Sequence, residues 1–387
     1  MLDFVFQNST RVIFGKTALE MLGGEIAHYG RILLVYGGGS VKKSGLYQAV
    51  NEILRKNDCD VYELGGVEPN PRVTTVRRGI ELCRQFRVDF VLAVGGGSVI
   101  DCAKAVAAGA RTTHDVWDLF TGKAKINDAI PLGCILTHAA AGSETSKSSV
   151  VTNEELTSKR SIYGGEGSEL IRCKFAICNP EYTYTLSREQ TAYGIADMMA
   201  HIFERYLSLP NDVQSSDFLS EGLLRAIIHN ARILQQNPKD YSARANIMWA
   251  STVAHNGLLG MGKEQDWMCH RLEHGLSAVY DIAHGAGLAI ISPKWMKYVY
   301  KTQVDRFAQY ARTVFGITGK SPSETALQGI VATRDFFREI GNPTELADVG
   351  LDDTAIPAII NHAEKYGAGS FMKIDKKEMF DILKIRI

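Results

Sequence analysis

The chain carries no excess charge of either sign: 43 lysine and arginine side chains are matched by 43 aspartates and glutamates. Without a positive field there is little to draw it to a phosphate backbone or an anionic bilayer, so binding to nucleic acid or to membranes is not expected. No apolar run approaches the length of about 20 residues that a spanning helix needs. There is no CxxC pair either. The seven cysteines, an odd number spread from Cys59 to Cys269, point to reduced thiols and a cytoplasmic setting. The first eight residues, Met1 to Asn8, have neither the basic start nor the apolar stretch of a signal peptide, which agrees with that setting. Internal repeats and low-complexity linkers are also missing, so the two halves read below are expected to pack closely along a cleft. What is present is ordinary globular material, 45% hydrophobic and 22% charged, and 387 residues are enough for two domains with a filled core in each.

The first half alternates strands with helices. Phe4-Val5-Phe6 and residues 11–15 flank the turn formers Asn8-Ser9-Thr10 and predict a short strand pair. A helical stretch at 18–22 precedes the apolar run Ile32 to Tyr36, which is bounded by Gly30 and by Gly37-Gly38-Gly39-Ser40, as in a strand buried on both faces of a parallel sheet. Residues 45–56 read as helix, 60–64 as strand and 74–86 as helix, an alternation that implies a sheet covered by helices. The next strand, Phe90 to Val94, runs into Gly95-Gly96-Gly97-Ser98 and an Ala-rich helix carrying Asp101 and Lys104. A glycine-rich loop feeding a helix lets backbone N–H groups approach an anion while the helix dipole favours negative charge, which suits a pyrophosphate. One such loop is explained as well by a tight turn. Two, each directly after a strand, are better explained by a dinucleotide spanning the strand ends, although neither is the GxGxxG fingerprint. A strand at 132–136 leads into Thr137 and a run of small and hydroxyl residues that can line a cofactor or form a surface loop. Strands at 149–152 and 175–178 are expected to complete the sheet. Asn179-Pro180 closes the half, and the boundary is placed between residues 182 and 183.

From Ser187 the texture is helical. Ser187-Arg188-Glu189-Gln190 has the form of a capping box, and the helix it starts carries Asp197 and His201. Further helical patterns cover 215–235, 241–255, 264–280, 285–300 and 324–340, with no convincing strand. Asp197 and His201 are four apart, so on one helical face they offer a carboxylate and an imidazole to the same ion, a donor set suited to Fe(II) or Zn(II). His270 and His274 share the same spacing. His284 follows His270 by fourteen residues, roughly 20 Å along a straight helix, so both can reach one ion only if the chain turns back between them. Gly285 and Gly287 are compatible with such a break. Each pair alone is explained by a solvated helix face; the apolar neighbours Ala196, Met198, Met199 and Ala200 argue instead for an interior helix. Cys269, beside His270, reads as a buried neighbour rather than a ligand.

These segments together resemble the iron-containing (group III) alcohol dehydrogenase family, most closely its NADPH-dependent butanol dehydrogenase and aldehyde reductase branch. The resemblance rests on residues 36–45, Glu68-Pro69-Asn70-Pro71, Gly95 to Lys104, Asp197-x3-His201 and His270 through His284, and it covers nearly the whole chain. It implies an N-terminal α/β dinucleotide domain (1–182), a mostly parallel sheet with helices on both faces, and an all-helical metal-binding and catalytic domain (183–387), a fold shared with dehydroquinate synthase. It implies Asp197, His201, His270 and His284 as metal ligands, with His274 beside the ion and near substrate. Gly37, Gly38, Gly39 and Ser40 then form the first cofactor loop; Gly95, Gly96, Gly97, Ser98 and Asp101 hold the pyrophosphate region. Lys159 matches the family's basic residue at the nicotinamide ribose. NAD-using relatives carry an acidic residue where this chain has Gly39, and with Ser40, Lys42 and Lys43 close by, NADP is favoured over NAD. Two departures stand out. Ala140-Ala141-Gly142-Ser143-Glu144 has alanine where the family's loop has threonine on the nicotinamide side, and Asn179 replaces a frequent aspartate before Pro180.

The activity these features imply is reversible hydride transfer between NADPH and a small aliphatic aldehyde such as butanal. One divalent ion, Fe(II) as is usual in the family or Zn(II), would polarise the carbonyl oxygen where negative charge develops. His274, with a reference pKa of about 6.5, is a candidate proton relay. A homodimer is implied by analogy, with an edge strand near residues 4–14 pairing across a two-fold axis. The rival readings are a dehydroquinate synthase-like lyase, for which Arg271 and Lys263 are the basic residues near the ligands, a metal-dependent hydrolase in which the glycine loops are only turns, and a catalytically dead binder.

Overall fold

The structure, a computed structural model, describes residues 1–162, 167–210, 212–364, 369 and 372–387. They divide into two units, one of Asn8–Leu186 and one of Met1–Gln7 with Ser187–Ile387.

The first unit is built on six parallel strands: β1 (Arg11–Phe14), β2 (Arg31–Gly37), β3 (Asp60–Val67), β4 (Phe90–Gly95), β5 (Leu132–Leu136) and, after a two-stranded hairpin of β6 (Ser149–Asn153) and β7 (Ser158–Ile162), β8 (Phe175–Cys178). Their order is β1-β8-β5-β4-β2-β3. β4, β5 and β8 are buried along their whole length, as parallel strands covered on both faces must be. The helices are α1 (Leu22–Ile26), α2 (Ser40–Lys43), α3 (Leu46–Lys56), α4 (Val73–Gln85), α5 (Gly97–Gly109) and α6 (Val116–Thr121). Leu22, Ile26, Val50 and Leu54 from α1 and α3 pack with Ile32, Leu34, Phe90 and Leu92 on one face of the sheet. The alternate residues Leu33, Val35, Val91 and Ala93 are buried on the opposite face, where α4 and α5 pack.

Two strand expectations are corrected. Residues 4–6 form no strand, and β1 pairs in parallel with β8 instead. The Asn8 side chain bonds the Thr145 carbonyl (3.0 Å) and accepts from Thr10 N–H (3.2 Å), so the turn anchors the chain to another loop rather than folding it into a hairpin. Residues 149–153 do not complete the sheet either. β6 pairs antiparallel with β7, and its alternation of buried and half-buried residues suits a ribbon with one covered face, not a strand covered on both.

The second unit contains, among the described residues, helices and no strand: α7 (Arg188–Tyr206), α8 (Gln214–Gln236), α9 (Tyr241–His255), α10 (Met268–Tyr280), α11 (His284–Val299), α12 (Val304–Phe315), α13 (Pro322–Glu339), α14 (Ile356–Ala363) and α15 (Lys376–Lys384). The Ser187/Gln190 capping box is formed in both directions, at 3.0 and 3.2 Å. α7 is the central helix, buried almost throughout from Ala196 to Tyr206. No described helix is long and apolar enough to cross a membrane.

The expected reversal between His270 and His284 is present. α10 stops at Tyr280, Asp281 takes a left-handed conformation (φ 53°), and α11 starts at His284. Gly285 and Gly287, compatible in sequence with a break, do not make it. They lie inside α11, where a Cβ on Gly285 would sit 2.0 Å from the Tyr193 carbonyl oxygen and one on Gly287 would sit 2.8 Å from Glu273 Cγ. Their service is close approach of α11 to α7 and α10.

Candidate active site

In the sheet, β2 is followed by β3 on one side and β4 on the other, which makes the β2/β4 junction the point where strand order reverses. Ligands of open α/β sheets bind at the carboxyl ends of strands at such a point. Tyr36 pairs with Val94 there, so the two glycine loops, Gly37 to Ser40 and Gly95 to Ser98, leave neighbouring strands side by side. Gly39 has φ +120°, a conformation side chains resist. Gly96 caps the N-terminus of the thirteen-residue α5, and a Cβ on it would meet His138 Cβ at 2.9 Å. Thr137 donates its N–H to the Gly95 carbonyl (3.0 Å), which puts it beside the second loop. Lys159, buried on β7, donates to Asn70 Oδ1 (3.0 Å).

Asp101, on the first turns of α5, is tied to the following loop. Its Oδ1 accepts from Ser143 Oγ (2.5 Å) and its Oδ2 from Val150 N–H (3.0 Å). Both carboxylate oxygens are thus engaged within the protein, which is also where a negative charge is least harmful to a bound phosphate. The Lys104 ammonium, three residues on and fully buried, binds the same loop.

In the helical unit, α7, α10 and α11 bring the four proposed ligands together around one oxygen. Asp197 Oδ1 is buried without an aligned hydrogen-bond donor, yet His201 Nδ1, His270 Nε2 and His284 Nε2 lie 3.0, 3.9 and 3.8 Å from it. Bonds of about 2.0–2.2 Å in a tetrahedral shell place donor atoms about 3.4 Å apart, so the Nε2 separations of His270 and His284 from Asp197 Oδ1 fit a single cation. Asp197, His201 and His270 form one potential ligand group, and Glu273, His274 and His284 a second beside it. His274 lies next to His284, with ring centroids 5.9 Å apart. Burial alone would raise the Asp197 carboxyl, but the facing histidines outweigh it and hold it at about 2. Burial pushes His201 below the usual imidazole value, keeping it neutral as a metal ligand must be.

Two glutamates that sequence reasoning missed orient these rings. Glu204, on α7, bonds His270 Nδ1 through Oε2, and its Oε1 accepts from Cys269 N–H at the start of α10 (2.7 Å). Glu273, on α10, bonds His284 Nδ1. With Nδ1 engaged, both rings turn Nε2 toward Asp197. His201 Nδ1 donates to the Asp197 backbone carbonyl (2.9 Å), which leaves the lone pair on its Nε2. Burial pushes Glu204 up to about 8 against the pull of His201 and the two N–H donors. Arg205 supports the cluster from behind, donating to the His201 carbonyl (2.6 Å) and stacking 4.7 Å over the Trp267 ring. The Cys269 thiol is buried and burial raises it well above its usual value, consistent with a neighbour and not a ligand. Lys263, a basic residue that a lyase reading would need near the ligands, is locked instead to Asp217 (2.6 Å) and the Tyr206 carbonyl (2.9 Å).

A sheet with paired glycine loops at its switch point, and a helical unit that gathers one carboxylate and three imidazoles, define a class of protein suited to a dinucleotide and a metal ion. Comparison with known proteins narrows this. The family model for iron-containing alcohol dehydrogenase matches residues 9–180, and that for the C-terminal part of the Fe-containing alcohol dehydrogenase family matches 191–387. The chain is 42% identical to NADH-dependent butanol dehydrogenase A of Clostridium acetobutylicum, covering 100% of this chain and 99% of that one. It is 40% identical to NADPH-dependent aldehyde reductase YqhD of Escherichia coli, covering 95% and 94%. The crystal structure of NADH-dependent butanol dehydrogenase A from Thermotoga maritima superposes with a TM-score of 0.95 at 38% identity, over 99% of this chain and 98% of that one. The chain belongs to the iron-containing alcohol dehydrogenase family. Its activity is that of an oxidoreductase of this family, an alcohol dehydrogenase working with a nicotinamide cofactor.

Proposed function

We propose that the protein is an NADP(H)-linked alcohol dehydrogenase and aldehyde reductase that interconverts a small aliphatic aldehyde such as butanal with its alcohol, using one divalent cation held by Asp197, His201, His270 and His284. The observation that carries this reading is the buried Asp197 Oδ1 faced by His270 Nε2 and His284 Nε2 at 3.9 and 3.8 Å, with the His201 ring, whose lone pair is left on Nε2, packed 4.4 Å from the His270 ring. One carboxylate and three neutral imidazoles suit Fe(II), the ion in the family's name, and Zn(II) fits the same donors. When bound, the cation supplies Lewis-acid polarisation of a carbonyl oxygen and the nicotinamide supplies the hydride. The chain's residues supply the rest. Glu204 and Glu273 hold His270 and His284 in the ligating tautomer. His274, beside His284, passes a proton with water to the product oxygen. Gly95 to Ser98 at the head of α5 receive the pyrophosphate, Thr137 lines the cofactor, and Lys159 meets the nicotinamide ribose.

The choice of NADP rests on charge, since the named relatives are divided between NADH and NADPH. Gly39 presents no carboxylate to an adenosine 2′-phosphate, while Ser40, Lys42 and Lys43 follow it. The acidic side chain near Lys42 is Glu63, whose oxygens are engaged by the hydroxyls of Tyr36 (2.6 Å) and Tyr47. We further infer a homodimer, because β1 lies at the edge of its sheet and Phe4, Val5 and Phe6 are exposed, and a reducing cytoplasmic setting, because all seven cysteines are buried and unpaired. The test is a steady-state assay of metal-free protein reloaded with Fe(II) or Zn(II), run with NADPH and NADH against linear aldehydes. Metal-dependent turnover with a higher kcat/KM for NADPH is expected. A preference for NADH overturns the cofactor assignment, and turnover unaffected by metal removal overturns the ligand assignment.

A further inference from the structure

Lys104 is the most completely buried ammonium of the α/β unit, with no solvent exposure. Its Nζ lies 2.6, 2.9 and 2.9 Å from the carbonyl oxygens of Ser143, Ser146 and Ser148, and 3.2 and 3.1 Å from the hydroxyls of Ser143 and Ser146. An ammonium has three protons, and the three nearest oxygens are carbonyls, which can only accept. The Ser143 hydroxyl therefore turns its own proton away from Lys104, and Asp101 Oδ1 receives it at 2.5 Å. Asp101 in turn takes Val150 N–H on Oδ2, and its own carbonyl accepts from Ser149 Oγ (2.8 Å). Asp101 and Lys104 are three apart on α5, so they share a face one turn apart. The side-chain polar atoms of both residues are engaged with residues 143–150.

The segment thus held is not remote from the glycine loops. Ala141 Cβ would lie 3.3 Å from a Cβ on Gly97, the first residue of α5, so the segment runs against the helix end on which an anion would rest. Three carbonyl dipoles converge on Lys104, and without its charge they would repel one another in a site closed to water.

We propose that Lys104, with Asp101, is a positioning residue for the dinucleotide: the pair clamps residues 141–150 against the head of α5 and so shapes the cofactor cradle without touching the cofactor. This rests on the dinucleotide reading above. The role predicts an effect on cofactor binding that a general loss of stability would not mimic. The variants are Lys104→Met, which removes the charge at similar length, Ser143→Ala, which cuts the hydroxyl link and spares the carbonyl, and the two combined. The readouts are the dissociation constant for NADPH from a fluorescence titration, hydrogen exchange of the 141–150 peptide, and bound metal.

Lys104→Met is expected to weaken NADPH binding by about tenfold or more, the scale of a lost charge-assisted hydrogen-bond set. Ser143→Ala weakens it less, the double variant binds no worse than Lys104→Met because both act through one loop, exchange rises in 141–150, and metal content stays unchanged. Folded variants that bind NADPH as the parent does, or effects of the two substitutions that add in full, overturn the proposal. Should Lys104→Met not fold, Ser143→Ala alone decides between increased exchange with weaker NADPH binding and no change in either. A parent protein that binds neither NADPH nor NADH would sink the dinucleotide reading itself, a result distinct from parent binding with indifferent variants.

Discussion

Glu204 and Glu273 decide which nitrogen His270 and His284 turn toward Asp197, and so toward the proposed cation. Each engages an Nδ1 and leaves Nε2 facing Asp197, 3.9 and 3.8 Å away for His270 and His284. Replacing Glu204 by Gln keeps the shape but exchanges one carboxyl oxygen for an amide NH2, which cannot accept from Nδ1–H, and so frees the ring to present the wrong nitrogen. Glu204→Gln is expected to weaken metal binding by about 10–100-fold, read as metal retained against a chelator series, with the helical content unchanged. Equal retention in parent and variant would mean that packing alone orients His270. The proposed ligands Asp197 and His201 stood out in the sequence because a carboxylate and an imidazole four apart on an apolar helix are an unusual conjunction, and His270 and His284 joined them through the family resemblance. The glutamates did not, since a glutamate three residues after a histidine on a helix is ordinary surface sequence; Glu204 follows His201, and Glu273 follows His270, at that spacing. What distinguishes them is burial, with both at 0% exposure, and burial is a product of packing against other helices. At Gly39 the outcome is also a residue-scale one. A Gly39→Asp variant places a carboxylate where a 2′-phosphate would lie and is expected to lower kcat/KM for NADPH by at least about tenfold while sparing or improving NADH, since juxtaposed like charges cost a few kcal/mol.

At the scale of elements, the site depends on the reversal between α10 and α11. A histidine at position 284 meets Asp197 because Asp281 ends α10 in a left-handed turn and because α11 then comes down closely on α7. The sequence pattern showed that a break was needed, yet not where it falls. Glycine is read as punctuation, and here Gly285 and Gly287 serve contact instead, which only the partner helix reveals. Gly285→Ala would drive a methyl against the Tyr193 backbone carbonyl, 2.0 Å from the ideal Cβ position. Because backbone cannot rotate away as a side chain can, α11 must shift. A loss of about 1–3 kcal/mol in unfolding free energy is expected, with reduced metal retention, checked by thermal unfolding and metal analysis of the same sample. Wild-type stability in this variant would show that α11 is less tightly seated than the glycine contact implies. The strand readings divide on the same physical line. Continuous apolar runs, as in β2, β4, β5 and β8, identified the parallel sheet correctly. The mixed polar segment of β6 was assigned to that sheet in error, because its period-two burial belongs to a ribbon covered on one side.

For the whole molecule, the proposed metal and dinucleotide sites lie in different units, and this separates the responses expected on ligand removal. All four proposed metal ligands, and both glutamates that orient them, come from α7, α10 and α11 of the helical unit. The glycine loops, Lys104 and the clamped segment 141–150 belong to the α/β unit. A ligand that binds only the folded state stabilises it by RT ln(1 + [L]/Kd), about 2.7 kcal/mol at a hundredfold excess over Kd. Chelation is therefore expected to lower the unfolding temperature of the helical unit, where removing the cation leaves Asp197 facing imidazoles with no ion to bridge them. NADPH added at saturating concentration is expected to raise that of the α/β unit. Hydrogen exchange followed during heating distinguishes the two, because peptides from α7, α10 and α11 report one unit and peptides from β2, β4 and α5 the other. Chelator-induced loosening should appear first in 197–206, 268–280 and 284–292. If chelation instead loosens both units to the same extent, metal binding is coupled to the fold of the entire chain; if it changes neither, Asp197 and the three histidines do not hold a cation that matters for stability, and the ligand assignment fails at the scale where it should be easiest to see.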